Sequence, residues 1–257
     1  KILGVKFRNP VLLAAGFDYE AKLTDIIGSI GFGGESIGSV TFGRYSGNPV
    51  PRLGRLKRSK SILVNKGLKS SGAKNVIESL KGKKFDIPIG ISVAKTNCKE
   101  SASEKNAIQD YISSLKLWEK SKMGDYYELN ISCPNSFGGE SFAESEKLSK
   151  LLVEVDKLKL KKPLFLKMPI DINDLEFDSL CLVALKHKVQ GIIIGNLTKD
   201  RGRIEFDKVE IDKFNGYKGA FSGKPTEKRG NELIERAYVK FGKKLVVIGV
   251  GGIFSSE

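Results

Sequence analysis

A chain of 257 residues, 40% hydrophobic and 29% charged, can bury a substantial core, which excludes an intrinsically disordered protein. Forty-four Lys and Arg against thirty Asp and Glu leave a net charge of +14, enough to attract anions over a distance. The basic residues are mostly lysines spread along the chain with few aromatics between them, as at 57–60, 81–84, 157–162 and 240–244, so a solvated surface is expected and no nucleic-acid partner.

Cys98, Cys133 and Cys181 form neither a CxxC pair nor an even set, which suggests no disulfide framework and no metal site, and fits a reducing cytoplasm. No run approaches the ~18 apolar residues of a membrane span, and no basic-then-apolar signal segment opens the chain. A soluble protein is the expectation.

Taken in chain order, short apolar runs alternate with stretches of helical spacing. Strands are predicted at 11–15, 33–40, 87–93, 126–132, 164–168, 191–195 and 245–250; helices at 22–29, 73–80, 104–122, 144–158, 174–187 and 228–241. The strand runs are continuously apolar, as parallel strands buried on both faces are. Alternating β and α segments imply a parallel α/β fold with right-handed crossovers. Seven strands favour a (β/α)8 TIM barrel, a fold of about 250 residues, over an open doubly wound sheet. The pattern stops just after the seventh strand, so the barrel is expected to lack its last β/α unit, with residues 1–257 forming a single domain.

Barrels place function where strands end and βα loops begin. The run Glu128-Leu-Asn-Ile-Ser-Cys-Pro-Asn135 ends a strand by setting a thiol between the carboxamides Asn130 and Asn135. Carboxamides both donate and accept, as a flat heterocycle bearing C=O and N–H groups requires. Cys133 has three readings: nucleophile, base, or buried structural cysteine. The flanking amides and a Gly138-Gly139 loop favour chemistry, whereas Cys98 and Cys181 lack such context and are read as structural.

A nucleophilic cysteine wants a histidine, and the one histidine, His187, is expected to be a solvated residue at a helix C-terminus. Cys-His hydrolysis is therefore disfavoured, and with no paired carboxylates or metal-ligand spacing a cofactor is implied. Gly249-Val-Gly-Gly252 and Ser222-Gly-Lys-Pro225 can each present backbone N–H groups to a phosphate. No GxGxxG opens a helix after the first strand, which disfavours a Rossmann site. Lys167, in Leu-Phe-Leu-Lys-Met-Pro, is a cation in apolar surroundings that calls for an anion or polar ring nearby.

The ordered set Asn9-Pro-Val-Leu-Leu-Ala-Ala-Gly-Phe-Asp18, Gly31-Phe-Gly-Gly-Glu-Ser-Ile-Gly-Ser-Val-Thr41, Gly47-Asn-Pro-Val-Pro-Arg-Leu53, Asn130 to Asn135, Ser222-Gly-Lys-Pro225 and Ile248-Gly-Val-Gly-Gly-Ile253 resembles the dihydroorotate dehydrogenases over nearly the whole chain. The resemblance implies an FMN-containing oxidoreductase that converts dihydroorotate to orotate in pyrimidine biosynthesis. It places Ala14, Ala15, Gly16, Ser39, Ser92, Asn130, Lys167, Gly195, Gly223 and Gly252 on FMN. It places Asn65, Gly67, Leu68, Asn130, Asn135 and Asn196 on the substrate, and Cys133 as general base with hydride passing to flavin N5. Tyr19 stands where the quinone-using branch has a lysine, and Lys66 or Lys69 is expected to supply that cation.

The thiol base resembles the soluble branch, while the sequence body resembles the quinone-using branch. Quinone, fumarate or NAD through a partner are thus all candidate electron acceptors. The resemblance leaves room for a homodimer and for peripheral contact with the inner face of the cell membrane. Related flavin barrels with an Asn-x-x-Cys-Pro motif, dihydropyrimidine dehydrogenase or tRNA dihydrouridine synthase, are the alternative enzymes; a non-catalytic barrel scaffold is the alternative of a different class.

Overall fold

The structure, a computed structural model, describes residues 1–132 and 142–255. Its centre is a seven-stranded parallel sheet made of β1 (Leu12–Leu13), β2 (Gly34–Thr41), β5 (Ile89–Ala94), β6 (Tyr126–Asn130), β7 (Leu164–Met168), β8 (Gly191–Ile194) and β10 (Val246–Gly249), in that spatial order. Sequential strands are neighbours and all are parallel, which gives the curled α/β barrel sheet anticipated from the alternation. Strands β2, β5, β6, β7 and the four residues of β8 are buried throughout, while β1 and β10, at the open edges, are half-buried.

Helices α1 (Ala73–Leu80), α2 (Glu104–Ser121), α3 (Ser145–Lys157), α4 (Asp174–Leu185) and α6 (Lys224–Phe241) connect these strands. Their starts carry local signals. The Ser103 side chain accepts from the Asn106 N–H to cap α2, and Asn173 with Glu176 forms a reciprocal capping box on α4. Their buried faces, with Trp118, Leu115, Leu148, Leu152, Phe177 and Leu180 wholly or almost wholly buried, pack on the outward residues Ile37, Ile91, Leu129, Leu166 and Ile192. Removing one such side chain, as in Leu148→Ala, costs about 2–5 kcal/mol.

The predicted helix at 22–29 is not formed; those residues make a series of turns. Asp18 there accepts the Lys22 and Leu23 N–H groups at 2.8 and 2.6 Å, which satisfies the segment without a helix. The first predicted strand shrinks to two residues, and α6 begins four residues earlier than its apolar spacing suggested, with Gly223 as its N-cap.

A second sheet escaped the sequence reading. β3 (Leu53–Leu56), β4 (Ser61–Val64) and β9 (Ala220–Gly223) are antiparallel in the order β3-β4-β9, with β9 leading directly into α6. Leu56, Leu63 and Phe221 beneath it form a small core with Phe206 and with Ile211 of the short helix α5 (Lys208–Asp212). Because β3 and β4 lie in the β2–α1 connection and β9 in the β8–α6 connection, the small sheet belongs to the C-terminal side of the barrel strands.

Candidate functional site

Alternation along the strands decides what faces the inside of the curl. The lowest inner layer is apolar: Tyr126, Phe165 and Ile193, with Phe7, Val246 and Ile248 packed against them. One step toward the C-terminal ends the interior turns polar, with Ser36, Ser92, Glu128 and Lys167 all buried. A further step brings Ser39 and Asn130 to the rim.

Ser39 owes its position to a break in the ladder. The register between β2 and β5 shifts between Gly38 and Val40, and such a bulge re-aims a side chain. Its hydroxyl reaches Ser92 Oγ at 2.9 Å and receives Asn130 Nδ2 at 2.8 Å. Asn130 Oδ1 in turn accepts from Asn196 Nδ2 at 3.3 Å, and Asn196 also donates to Ser132 Oγ at 2.8 Å. Ser132 Oγ donates to the Lys167 carbonyl at 2.9 Å, and Tyr111 OH donates to the Asn130 carbonyl at 2.7 Å. Side chains from β2, β5, β6 and the loop after β8, with the Lys167 carbonyl of β7, thus form one hydrogen-bonded floor.

Lys167 is 6% exposed, and its Nζ donates to the Ala15 carbonyl at 3.3 Å, tying the floor to the loop after β1 that holds Ala14, Ala15 and Gly16. Below it, Glu128 is hydrogen-bonded by Ser36, whose hydroxyl also lies 2.8 Å from Tyr126 OH. Burial holds the Glu128 carboxyl above the ordinary carboxylate range, with the Lys167 charge and the Ser36 and Ser92 hydrogen bonds opposing it in part. The sequence reading missed Ser36 and Glu128; the only signal was a polar residue every second position in otherwise apolar strands.

Across the rim stands a wall built by loops. Asn65, just past β4, accepts from Asn48 Nδ2 at 2.9 Å, and Asn48 Oδ1 accepts from Tyr45 OH at 2.8 Å. Asn97, past β5, donates to the Gly67 carbonyl at 2.8 Å. Gly67 has φ 65°, and a Cβ there would fall 2.2 Å from Asn48 Oδ1, so this carboxamide cluster needs a glycine. Leu68 beside it also takes a left-handed φ of 63°, uncommon for leucine. Asn48 and Asn97 are further residues that spacing alone did not single out.

Lys66 and Lys69 converge on one ring: their Nζ atoms lie 4.2 and 5.7 Å from the Tyr19 centroid. No carboxylate among the described residues lies within salt-bridge distance of either lysine. Burial, then the Lys69 charge, lowers the Lys66 pKa, with Glu20 opposing. The wall is therefore carboxamide-rich and positively charged, suited to a small anion with ring C=O and N–H groups.

Gly223, Gly251 and Gly252 sit at the N-terminal end of α6 with φ of 84, 88 and 70°, and a Cβ on Gly252 would fall 2.6 Å from Glu227 Cβ. Gly195 follows β8 directly and packs beside Ile170. Among the described residues, no group of three or more His, Cys, Asp or Glu could hold a metal ion, and no helix is long and apolar enough to cross a membrane. Cys133 and Asn135 lie outside the described residues; the floor leads to them through Ser132.

His187 corrects an expectation. It is not solvated: its side chain is 11% exposed and its Nδ1 lies 2.8 Å from Asp156 Oδ2 on α3. A helix end packed against its neighbour gave the ring a carboxylate partner, far from the floor in the fold. Cys181 is wholly buried in the helix layer, with its thiol pushed up to about 12 by burial. Cys98 Sγ lies 3.6 Å from Ser101 Oγ.

Comparison with known proteins agrees with this architecture. The family model for dihydroorotate dehydrogenase matches residues 1–257. A relative from Corynebacterium glutamicum named dihydroorotate dehydrogenase (quinone) is 34% identical over 257 residues, covering 100% of this chain and 67% of its own length. A relative of the same name from Vibrio cholerae is 35% identical, covering 98% and 75%. Among solved structures, ligand-free DHODH from Eimeria tenella superposes with a TM-score of 0.86 at 25% identity, covering 98% of this chain and 75% of that one. The same protein in complex with ferulenol gives 0.84 at 24% identity, covering 99% and 73%.

Proposed function

The chain belongs to the dihydroorotate dehydrogenase family, and from that premise we propose that it oxidises dihydroorotate to orotate on FMN, a step of pyrimidine biosynthesis. The observation that carries the reading is the floor itself: Ser39, Ser92, Asn130 and Lys167 from four neighbouring strands and Asn196 from the loop after the next, gathered at one end of the barrel.

The residues fit FMN. A flat polar ring suits the buried hydroxyls, the Asn130 carboxamide and the Lys167 ammonium, with Ala14, Ala15, Gly16 and Gly195 at the rim beside them. A phosphate suits the Gly223, Gly251 and Gly252 backbone at the N-terminal end of α6, where a Cβ would intrude. When bound, FMN supplies a two-electron acceptor that the side chains lack.

The chain's own residues do the rest. Asn65, Asn130, Asn135 and Asn196 hold the substrate ring by its C=O and N–H edges, and the Gly67-Leu68 turn shapes that wall. Lys66 and Lys69 hold its carboxylate. Cys133 would take the C5 proton as dihydroorotate gives up its C6 hydride, for which bound FMN would be the acceptor. A thiol with an ordinary pKa near 8.5 is mostly protonated at pH 7, so activity rises toward alkaline pH.

The names of the relatives support a quinone as oxidant. Quinones reside in membranes, so peripheral membrane contact is part of the reading. The test is direct: purified protein should be yellow and should bleach anaerobically when dihydroorotate is added. A colourless protein that takes up no FMN would refute the proposal; quinone, fumarate and NAD offered separately to the bleached enzyme identify the oxidant.

A further inference from the structure

Two opposite charges are buried in the barrel interior, and only one has a part in the reaction so far. Lys167 is 6% exposed and Glu128 4%. They stand on adjacent strands in the register Asn130↔Lys167 and Glu128↔Phe165, so Glu128 lies one layer beneath the rim-facing ammonium. The groups facing Glu128 come from three other strands and its own: Ser36 donates to it from β2, Ser92 lies beside it on β5, Lys167 attracts it from β7, and Tyr126 OH completes the Ser36 end. Ser92 continues upward to Ser39, giving a line of hydroxyls from the carboxyl to the floor.

A carboxylate buried this deeply is costly unless it is compensated, and here the compensation is a cation that the proposed function also assigns to FMN. One ammonium cannot serve two anions fully. If FMN bound near Lys167 took on negative charge, the Glu128 carboxylate would lose part of its compensation, and neutralising it would become favourable.

We propose that Glu128 is a positioning residue for Lys167: it sets how much positive charge the ammonium presents at the floor, and it takes up a proton as FMN receives two electrons. The inference rests on the FMN reading. The balance is complete. Dihydroorotate gives up a hydride to FMN and a proton to the base, and Glu128 gains one further proton drawn from water. Reoxidation by the electron acceptor returns it.

The test is the pH dependence of the flavin reduction potential in the FMN-loaded protein, measured beside Glu128→Gln. In the unaltered protein the slope should steepen over one pH interval, roughly doubling as proton uptake per two electrons goes from one toward two. Glu128→Gln should abolish the steep interval. A slope identical in both proteins overturns the role of Glu128, since a merely structural residue would not change proton stoichiometry.

Should Glu128→Gln fail to fold or to hold FMN, Ser36→Ala decides. Loss of that donor should move the steep interval to higher pH, and an unmoved interval overturns the proposal. The two readings fail separately. Absence of FMN binding and of bleaching by dihydroorotate in the unaltered protein refutes both, whereas bleaching with an unaltered slope refutes this one alone.

Discussion

The floor and the wall of the site are built on different principles. The floor consists mostly of buried strand residues joined by direct side-chain hydrogen bonds, with Asn196 added from the loop after β8 and Lys167 6% exposed. The wall consists of loop residues: Asn65, Gly67 and Asn97 are buried, while Lys66, Lys69 and the Tyr19 ring on which they converge are half-buried. Preorganised groups on rigid strands suit a resident cofactor, while a charged wall on loops suits a substrate that enters and leaves. Under the proposed function, that difference would let one barrel end serve both ligands.

The largest expected effect belongs to the proposed base, which lies outside the described residues. Cys133→Ala should lower kcat by about two to four decades while FMN stays bound, as expected for loss of a general base; release of FMN would instead make the thiol structural. Next comes Lys167→Ala, which should weaken FMN binding by about 10–100-fold through loss of a charge-assisted contact, measured by fluorescence titration of the released flavin.

At the wall the effects are smaller and of another kind. Lys66→Ala and Lys69→Ala should each raise the KM for dihydroorotate by roughly 3–10-fold with little change in kcat. Added salt should raise the KM of the unaltered enzyme but leave FMN affinity nearly constant, because exposed charges are screened and buried ones are not. Since Lys66 loses its proton more readily than an ordinary lysine, KM should also climb early on the alkaline side. Unchanged KM in both variants would remove the lysines from the substrate site.

The last prediction concerns stability and lies outside both the floor and the wall, on β2. Glu35 is wholly buried, and burial, then the Asp18 charge and a side-chain hydrogen bond with Asp18, raises its pKa from 4.5 to about 7. A raised folded-state pKa means stability is intact below the unfolded value and is lost as pH climbs toward 7. Glu35→Gln should therefore match the parent in Tm near pH 4.5 and exceed it above pH 7, by about 2–4 °C per kcal/mol recovered. Equal Tm values across the range would show that Glu35 stays ionised or finds a partner.

Much of the barrel was legible because its signals are local. Continuous apolar runs such as Leu164–Met168 and helical spacing such as Ala73–Leu80 gave element bounds that the structure reproduces. The segment at 22–29 misled, because Asp18 satisfies the turn backbone that a helix would otherwise have satisfied. The antiparallel sheet β3-β4-β9 was invisible for another reason: its strands have four residues each, and β9 pairs with β4 from more than 150 residues away.

The sequence by itself determined the parallel α/β architecture, the family resemblance and most of the residues at the strand ends. Periodicity and motif order are properties of neighbours along the chain, so they survive without coordinates. Only the tertiary structure decided which of those residues meet. The bulge at Gly38 turns Ser39 onto Ser92, strand alternation sets Glu128 beneath Lys167, and a glycine at 67 admits Asn48 to Asn65. Such contacts join strands and loops far apart in the chain, and no local pattern encodes them.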